Sequence, residues 1–205
     1  EFYNRRVEMA KTKEEIRVDL IVKARELLVD KGLDFLTARK LSDYSGYSVG
    51  TIYNQFKSMD NLIVWENCQT LDELYGALTT ADMGSDAYKN LNKLLEKFVD
   101  YVLGNKNLWF TLYNAHFQNT IETYEVFYLR RIIKIVQLLE NNLHKLFADV
   151  PDKERKVSAE VLFITVFALS SLLTTEKDFA RLEKKYVMRV LFNTYLAGLS
   201  YLGKD

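Results

Sequence analysis

The sequence predicts an all-α protein. One proline and eight glycines in 205 residues are too few breakers for a turn-rich β fold. Apolar side chains recur at three- and four-residue steps along most of the chain. A composition 48% hydrophobic and 27% charged supports a packed core. About nine helices are expected, three of them in a leading unit, residues 10–59, ahead of a larger helical unit, residues 60–205.

Residues 14–31 read as an amphipathic helix in which Ile16, Leu20, Ala24 and Leu27 share a face while Arg17, Lys23, Glu26 and Asp30 fall elsewhere. "KGLDF" stops it, with Gly32 as terminator. Thr37 caps a shorter helix through Ser45, turning Ala38 and Leu41 inward, and Gly46 and Tyr47 turn the chain. Ser48 caps a third helix in which Ile52 and Phe56 lie one turn apart. Gly50, Tyr53, Asn54 and Lys57 are left facing away or at the border of that face. Ser58 and Asp60 open a fourth helix whose Val64, Cys68, Leu71, Tyr75 and Leu78 step by four and three, so Cys68 reads as core and not as a nucleophile.

"TTADMGSD", 79–86, is a loop, after which Leu91, Leu94, Phe98 and Val102 form one stripe and "GNKN" interrupts it at 104–107. A short aromatic helix follows, then a long one over 122–147. "VLFITVFALSSLL", 161–173, is apolar on nearly every side and must be covered twice, yet is too short to cross a bilayer. The last helix, 178–202, is apolar on more than one face. With Ala168, Ser170, Ala197, Gly198 and Ser200 permitting close approach, the last two helices predict a two-fold homodimer through a four-helix interface.

Basic and acidic residues balance at 28 each, so bulk charge does not announce a nucleic-acid binder. Arg5, Arg6, Lys11, Lys13 and Arg17 gather at one end, and Arg39, Lys40 and Lys57 flank the short helices; ordinary solvated charge explains these as well. A single cysteine excludes an intramolecular disulfide and fits a reducing cytoplasm. No basic-then-apolar leader and no membrane span are expected, and "EFYNRRVE" precedes Met9, a natural start. His116 and His144 lack ligand spacing, and no phosphate loop or nucleophile elbow appears, so neither metal, cofactor nor catalysis is expected. Asp152 and Glu154 read as a solvated helix start.

"LSDYSGYSVGTIYNQF", 41–56, is different. Two short helices joined at Gly46, with a third helix packed beneath, meet the requirements of a helix-turn-helix whose second helix is 48–56. Its small or hydrogen-bonding outer residues suit close approach to a major groove, while a three-helix structural cap is the plainer alternative. The order of an amphipathic helix, "KGLDFLTARKLSDYSGYSVGTIYNQFKSMDNL" and a longer helical body resembles the TetR family of transcriptional regulators. The family run G-[VY]-S-x-G-T-[IL]-Y-x-x-F is matched by Gly46, Tyr47, Ser48, Gly50, Thr51, Ile52, Tyr53 and Phe56, within a likeness covering about residues 14–65.

That resemblance implies a homodimer that binds a double-stranded DNA operator and releases it on binding a small-molecule effector. It implies Tyr53 as a phosphate contact, Val49, Gly50 and Gln55 as base-facing, and Thr51 as a backbone contact; Thr37, Ser48, Asn54 and Lys57 complete the expected DNA-facing set. Two departures stand out: Met59 where the family carries a lysine that reaches phosphate, and Ser42 and Ser45 where alanines are common. Trp109, Phe110, Tyr113, His116, Phe117, Tyr124, Phe127 and Tyr128 read either as core or as the wall of the effector cavity that the resemblance implies, suited to an apolar or aromatic ligand. The competing function is a helical small-molecule- or partner-binding protein without specific DNA recognition.

Overall fold

Local caps set the helix starts. A computed structural model describes residues 11–80, 84–117, 126–174 and 183–202. Helix α1, Lys13–Lys31, opens with a capping box: the Glu15 amide donates to Thr12 Oγ1 at 3.2 Å and the Thr12 amide to Glu15 Oε2 at 2.7 Å. After Gly32 a single 3-10 turn, Leu33–Phe35, fills the linker to α2, Ala38–Ser45. Thr37, Ser48 and Ser58 cap α2, α3 (Val49–Phe56) and α4 (Met59–Thr79), each hydroxyl accepting an amide three residues on.

Helices α5 (Ala87–Gly104), α6 (Lys106–Phe117), α7 (Val126–Leu146), α8 (Asp152–Thr174) and α9 (Lys184–Leu199) build the rest. α9 ends three residues earlier than its apolar pattern suggests, because the Tyr201 and Leu202 amides turn back with 3-10-type bonds to the Gly198 and Leu199 carbonyls. The expected starts of the last helix at 178 and of the long helix at 122 lie outside the described residues.

Two hydrophobic clusters result. The first joins Leu20, Ala24 and Leu28 of α1 to Leu41, Ile52 and Phe56, and takes in Leu62 of α4 and Leu108 of α6. The second runs through α4 to α9, with Leu71, Leu91, Phe98, Trp109, Tyr128, Ile135, Leu162 and Phe192. Trp109 meets Phe98 edge-on at 5.3 Å and Phe167 at 4.6 Å, and its indole N–H donates to Ser171 Oγ at 2.8 Å. Cys68 is buried, and burial pushes its thiol up to about 12, leaving it chemically quiet. Among the described residues no helix is long and apolar enough to cross a membrane.

A charged knot joins α1 to α4 and α5. Arg25 donates to Glu66 Oε1 at 2.5 Å and Thr70 Oγ1 at 2.9 Å, and its other terminal nitrogen reaches Glu73. Tyr101 of α5 donates to the Thr70 carbonyl at 3.1 Å. Glu66 is fully buried and its Oε2 has no hydrogen-bond partner among the described residues. Burial pushes this carboxyl up to about 7, against the opposing pull of Arg25 and Thr70.

This raised acid has a stability signature. Below about pH 4.5 Glu66 is protonated in both states; between about 4.5 and 7 the unfolded chain releases the proton first, so stability falls as pH rises through that window. Urea unfolding at pH 5 and pH 7.5 is expected to show wild type losing on the order of 3 kcal/mol more than Glu66→Gln over the interval. Equal losses would place the carboxylate in a better-solvated site.

Candidate nucleic-acid interface

Helix α3 is held from beneath and bare above. Ile52 and Phe56 are sealed in the first cluster, while Val49, Tyr53, Asn54 and Lys57 are exposed, Tyr53 by 45%. This 3.6-residue alternation leaves Val49, Gly50, Tyr53 and Asn54 on one outward surface with no charged side chain. Lys57, at the end of α3, is an exposed cation, as are Arg39 and Lys40 on α2.

The turn into α3 is fastened by the two serines that depart from the family pattern. Gly46 adopts φ 77 and ψ −1, the left-handed conformation in which a side chain is strained, and its amide donates to the Ser42 carbonyl at 3.0 Å. The Ser42 hydroxyl donates to the Tyr47 carbonyl at 2.7 Å, and Ser45 Oγ accepts from the Tyr47 amide at 3.3 Å. An alanine offers neither bond, so these serines fix the crossing of α2 and α3 by polar contacts instead of packing alone. Tyr47 also closes a triangle with α1: its hydroxyl donates to Asp19 Oδ2 at 2.8 Å, and Lys11 Nζ lies 2.6 Å from the same oxygen. Lys11 and then Tyr47 hold the Asp19 carboxyl below its usual range.

The other expected contacts are distributed unevenly. The Thr37 and Ser48 hydroxyls serve as caps, and Ser48 Oγ also lies 2.9 Å from Thr51 Oγ1. Gln55 turns back to α1, its Nε2 donating to the Lys13 carbonyl at 3.0 Å. Met59 packs against the first cluster, while Lys57, with φ 67, is the one non-glycine residue of positive φ among the described residues. Arg17, which the periodicity sets off the apolar face of α1, is instead partly buried, its guanidinium 4.4 Å from the Trp65 ring centre and 5.5 Å from that of Phe56. Neither ring is near it in sequence, so helical periodicity held no signal for this placement.

The aromatic set of the second cluster divides. Trp109 and Tyr128 are buried, and Tyr113 lies partly buried with its ring 6.3 Å from that of Phe167. Phe110, 45% exposed, sits on the outer side of α6, since adjacent helical residues diverge by about 100°. Phe127 stacks on Trp65 at 4.6 Å, away from Tyr128. Tyr124 and the side chains of His116 and Phe117 lie outside the described residues.

Residues 20–64 match the model of the bacterial regulatory proteins of the tetR family. The match spans 45 of the 205 residues. None of the curated protein sequences matches the chain. Among solved structures, a tetR-family transcriptional regulator from Streptomyces coelicolor is 16% identical, with a TM-score of 0.67 over 95% of this chain and 83% of that one. BioQ, in a structure with its natural double-stranded DNA operator, is 17% identical, TM-score 0.66, over 89% and 96%. RolR, in complex with resorcinol, is 18% identical, TM-score 0.66, over 93% and 89%. At such identities the whole chain shares the TetR-like fold with these proteins.

Two glycines of the TetR-like motif differ physically. Gly46→Ala is expected to lower stability by about 1 kcal/mol because of its left-handed backbone. A Cβ on Gly50 meets only Ser48 Oγ, at 3.7 Å, so Gly50→Ala is expected to raise stability by roughly 0.5 kcal/mol through helix propensity. Chemical denaturation of both variants checks the contrast.

Proposed function

We propose that the chain is a ligand-responsive transcriptional repressor that binds a palindromic operator as a homodimer, with residues 10–59 as the reading unit and 60–205 as the effector and dimerisation unit. The observation that carries this reading is the bare face of α3, uncharged and glycine-bearing, above the sealed Ile52 and Phe56. Tyr53 and Lys57 contact phosphate, with Thr37, Ser48, Thr51 and Asn54 around them; Val49, Gly50 and Gln55 meet base edges, Gln55 after leaving the Lys13 carbonyl. A glycine that the fold does not need sterically is what a closely approached groove needs.

The dimer forms through α8 and α9. Val157, Val161, Ile164, Tyr186 and Val190 are each at least 45% exposed, and an apolar cleft of about 300 Å³ lies between Val161, Tyr195, Gly198 and Leu202. The effector is a hydrophobic or aromatic molecule met by Trp109, Tyr113, Phe117 and Tyr128. Buried polar atoms without partners among the described residues, Ser170 Oγ and both those of the Asn67 side chain, supply hydrogen-bonding capacity in the same helical body. Effector binding favours a body conformation in which α4 shifts and the paired α3 helices no longer match successive major grooves. No catalysis is part of this reading. Met59, packed inward, and the balanced charge favour the second reading, a ligand-binding protein without specific DNA recognition.

A mobility shift with the chain's own upstream DNA separates the two. On the operator, Gln55→Ala is expected to cost roughly 1–3 kcal/mol with little effect on unrelated DNA. Lys57→Ala is expected to weaken all sequences alike and reduce the salt slope by about one. Tyr53→Phe should weaken binding at an unchanged slope, since it deletes a neutral hydrogen bond. Absence of any shifted band, or normal binding by all three variants, overturns the reading. Analytical ultracentrifugation at micromolar concentration should give a dimer, which Val161→Glu with Ile164→Glu converts to monomer.

A further inference from the structure

A second cleft lies between α1 and α3 on one side and α4 and α7 on the other. It measures about 230 Å³ and is lined by Arg17, Gln55, Lys57, Asn61, Trp65 and Phe127, with Phe56 and Val64 at its base. Its cations are unneutralised: neither Arg17 nor Lys57 pairs with a carboxylate among the described residues. Among the described residues the Arg17 guanidinium makes one hydrogen bond, a long one of 3.5 Å to the Gln55 carbonyl, and its Nε is buried without a partner. A buried donor left unpaired is unfavourable, and a planar fork favours a carboxylate. Beside the fork, Trp65 and Phe127 stack at 4.6 Å and 25°, giving an apolar shelf.

We propose that this cleft binds a small aromatic carboxylate, its acid group held by Arg17 and Lys57 and its ring against Trp65 and Phe127. The volume suits a single-ring acid, and the two amide side chains, Gln55 and Asn61, serve its polar rim. Because the cleft is walled by the end of α3 and by α4 together, an occupant sets the angle between them, so this acid acts as a regulator of the reading unit. The site lies apart from the Trp109 wall proposed for the effector, and it stands whether or not that wall binds a ligand.

The two tryptophans report the sites separately. In the full chain labelled with 5-fluorotryptophan, with resonances assigned through Trp65→Phe, sodium benzoate is expected to shift the Trp65 signal saturably and leave Trp109 in place. Benzamide tests the charge, acetate the ring, and inorganic phosphate a generic anion site; none of the three should produce the shift at the same concentration. Arg17→Gln and Lys57→Gln should each weaken benzoate about tenfold or more. Lys57 is exposed, so its variant decides the matter if Arg17→Gln fails to fold. The proposal is overturned by the absence of a saturable Trp65 shift, by movement of Trp109 in its place, by an equal response to any of the three controls, or by wild-type affinity in Lys57→Gln.

Discussion

The contact on which the molecule depends most is the fork of Arg25 around Glu66 and Glu73. Apolar packing joins α1 to α4 through Leu20, Leu28 and Leu62, and the charged fork adds a directional contact to it. A guanidinium held by one buried and one half-exposed carboxylate aligns α1 with α4 at this level. Thr70 and Tyr101 extend that alignment to α5, so the helix that underlies α2 and α3 is keyed to the body at a defined point. Two turns earlier Arg17 makes a different attachment to the same α4, by its flat face against Trp65. One arginine fixes position through charge, the other through ring contact, and α1 is thereby clamped along its length.

Much of the fold was legible because it is written in short-range chemistry. Thr37, Ser48 and Ser58 each accept an amide three residues ahead, so helix starts are local events that sequence alone can mark. Gly46 and the Ile52–Phe56 pair were legible for the same reason, and with them the shape of the candidate reading surface. Glu66 and Arg17 were not, because Arg25 lies 41 residues from Glu66 and Gln55 lies 38 from Arg17, and nothing in helical periodicity singles them out. Ser42 and Ser45 were visible as departures, but their use became clear only with the Tyr47 backbone beside them. A run such as Trp109-Phe110 or Phe127-Tyr128 looks like one aromatic wall in the sequence, whereas helical neighbours diverge by about 100°, so that Trp109 and Tyr128 are buried while Phe110 is exposed and Phe127 stacks on Trp65.

Charge is arranged locally, not globally. With 28 residues of each sign, the chain projects no large field to steer a polyanion from a distance. Lys57 is the exposed cation at the end of α3, while the exposed centre of that helix is neutral. Recognition by such a surface depends on contact geometry more than on attraction, which makes the rigidity of the Gly46 turn and of its serine ties central to any discrimination.

Helix α6 has a consequence for modularity. Leu108 completes the first cluster, its neighbour Trp109 lies at the centre of the second, and Asn107 donates to the Val29 carbonyl of α1 at 3.0 Å. The two cores therefore touch through consecutive residues of one helix from the far unit. Exchange of the first three helices between relatives by cutting the chain after α3 removes from the transplanted piece a leucine it needs as a keystone. A chimera that keeps a sound interior has to inherit Leu108 along with Leu62, so the heritable unit of this architecture is discontinuous in the chain.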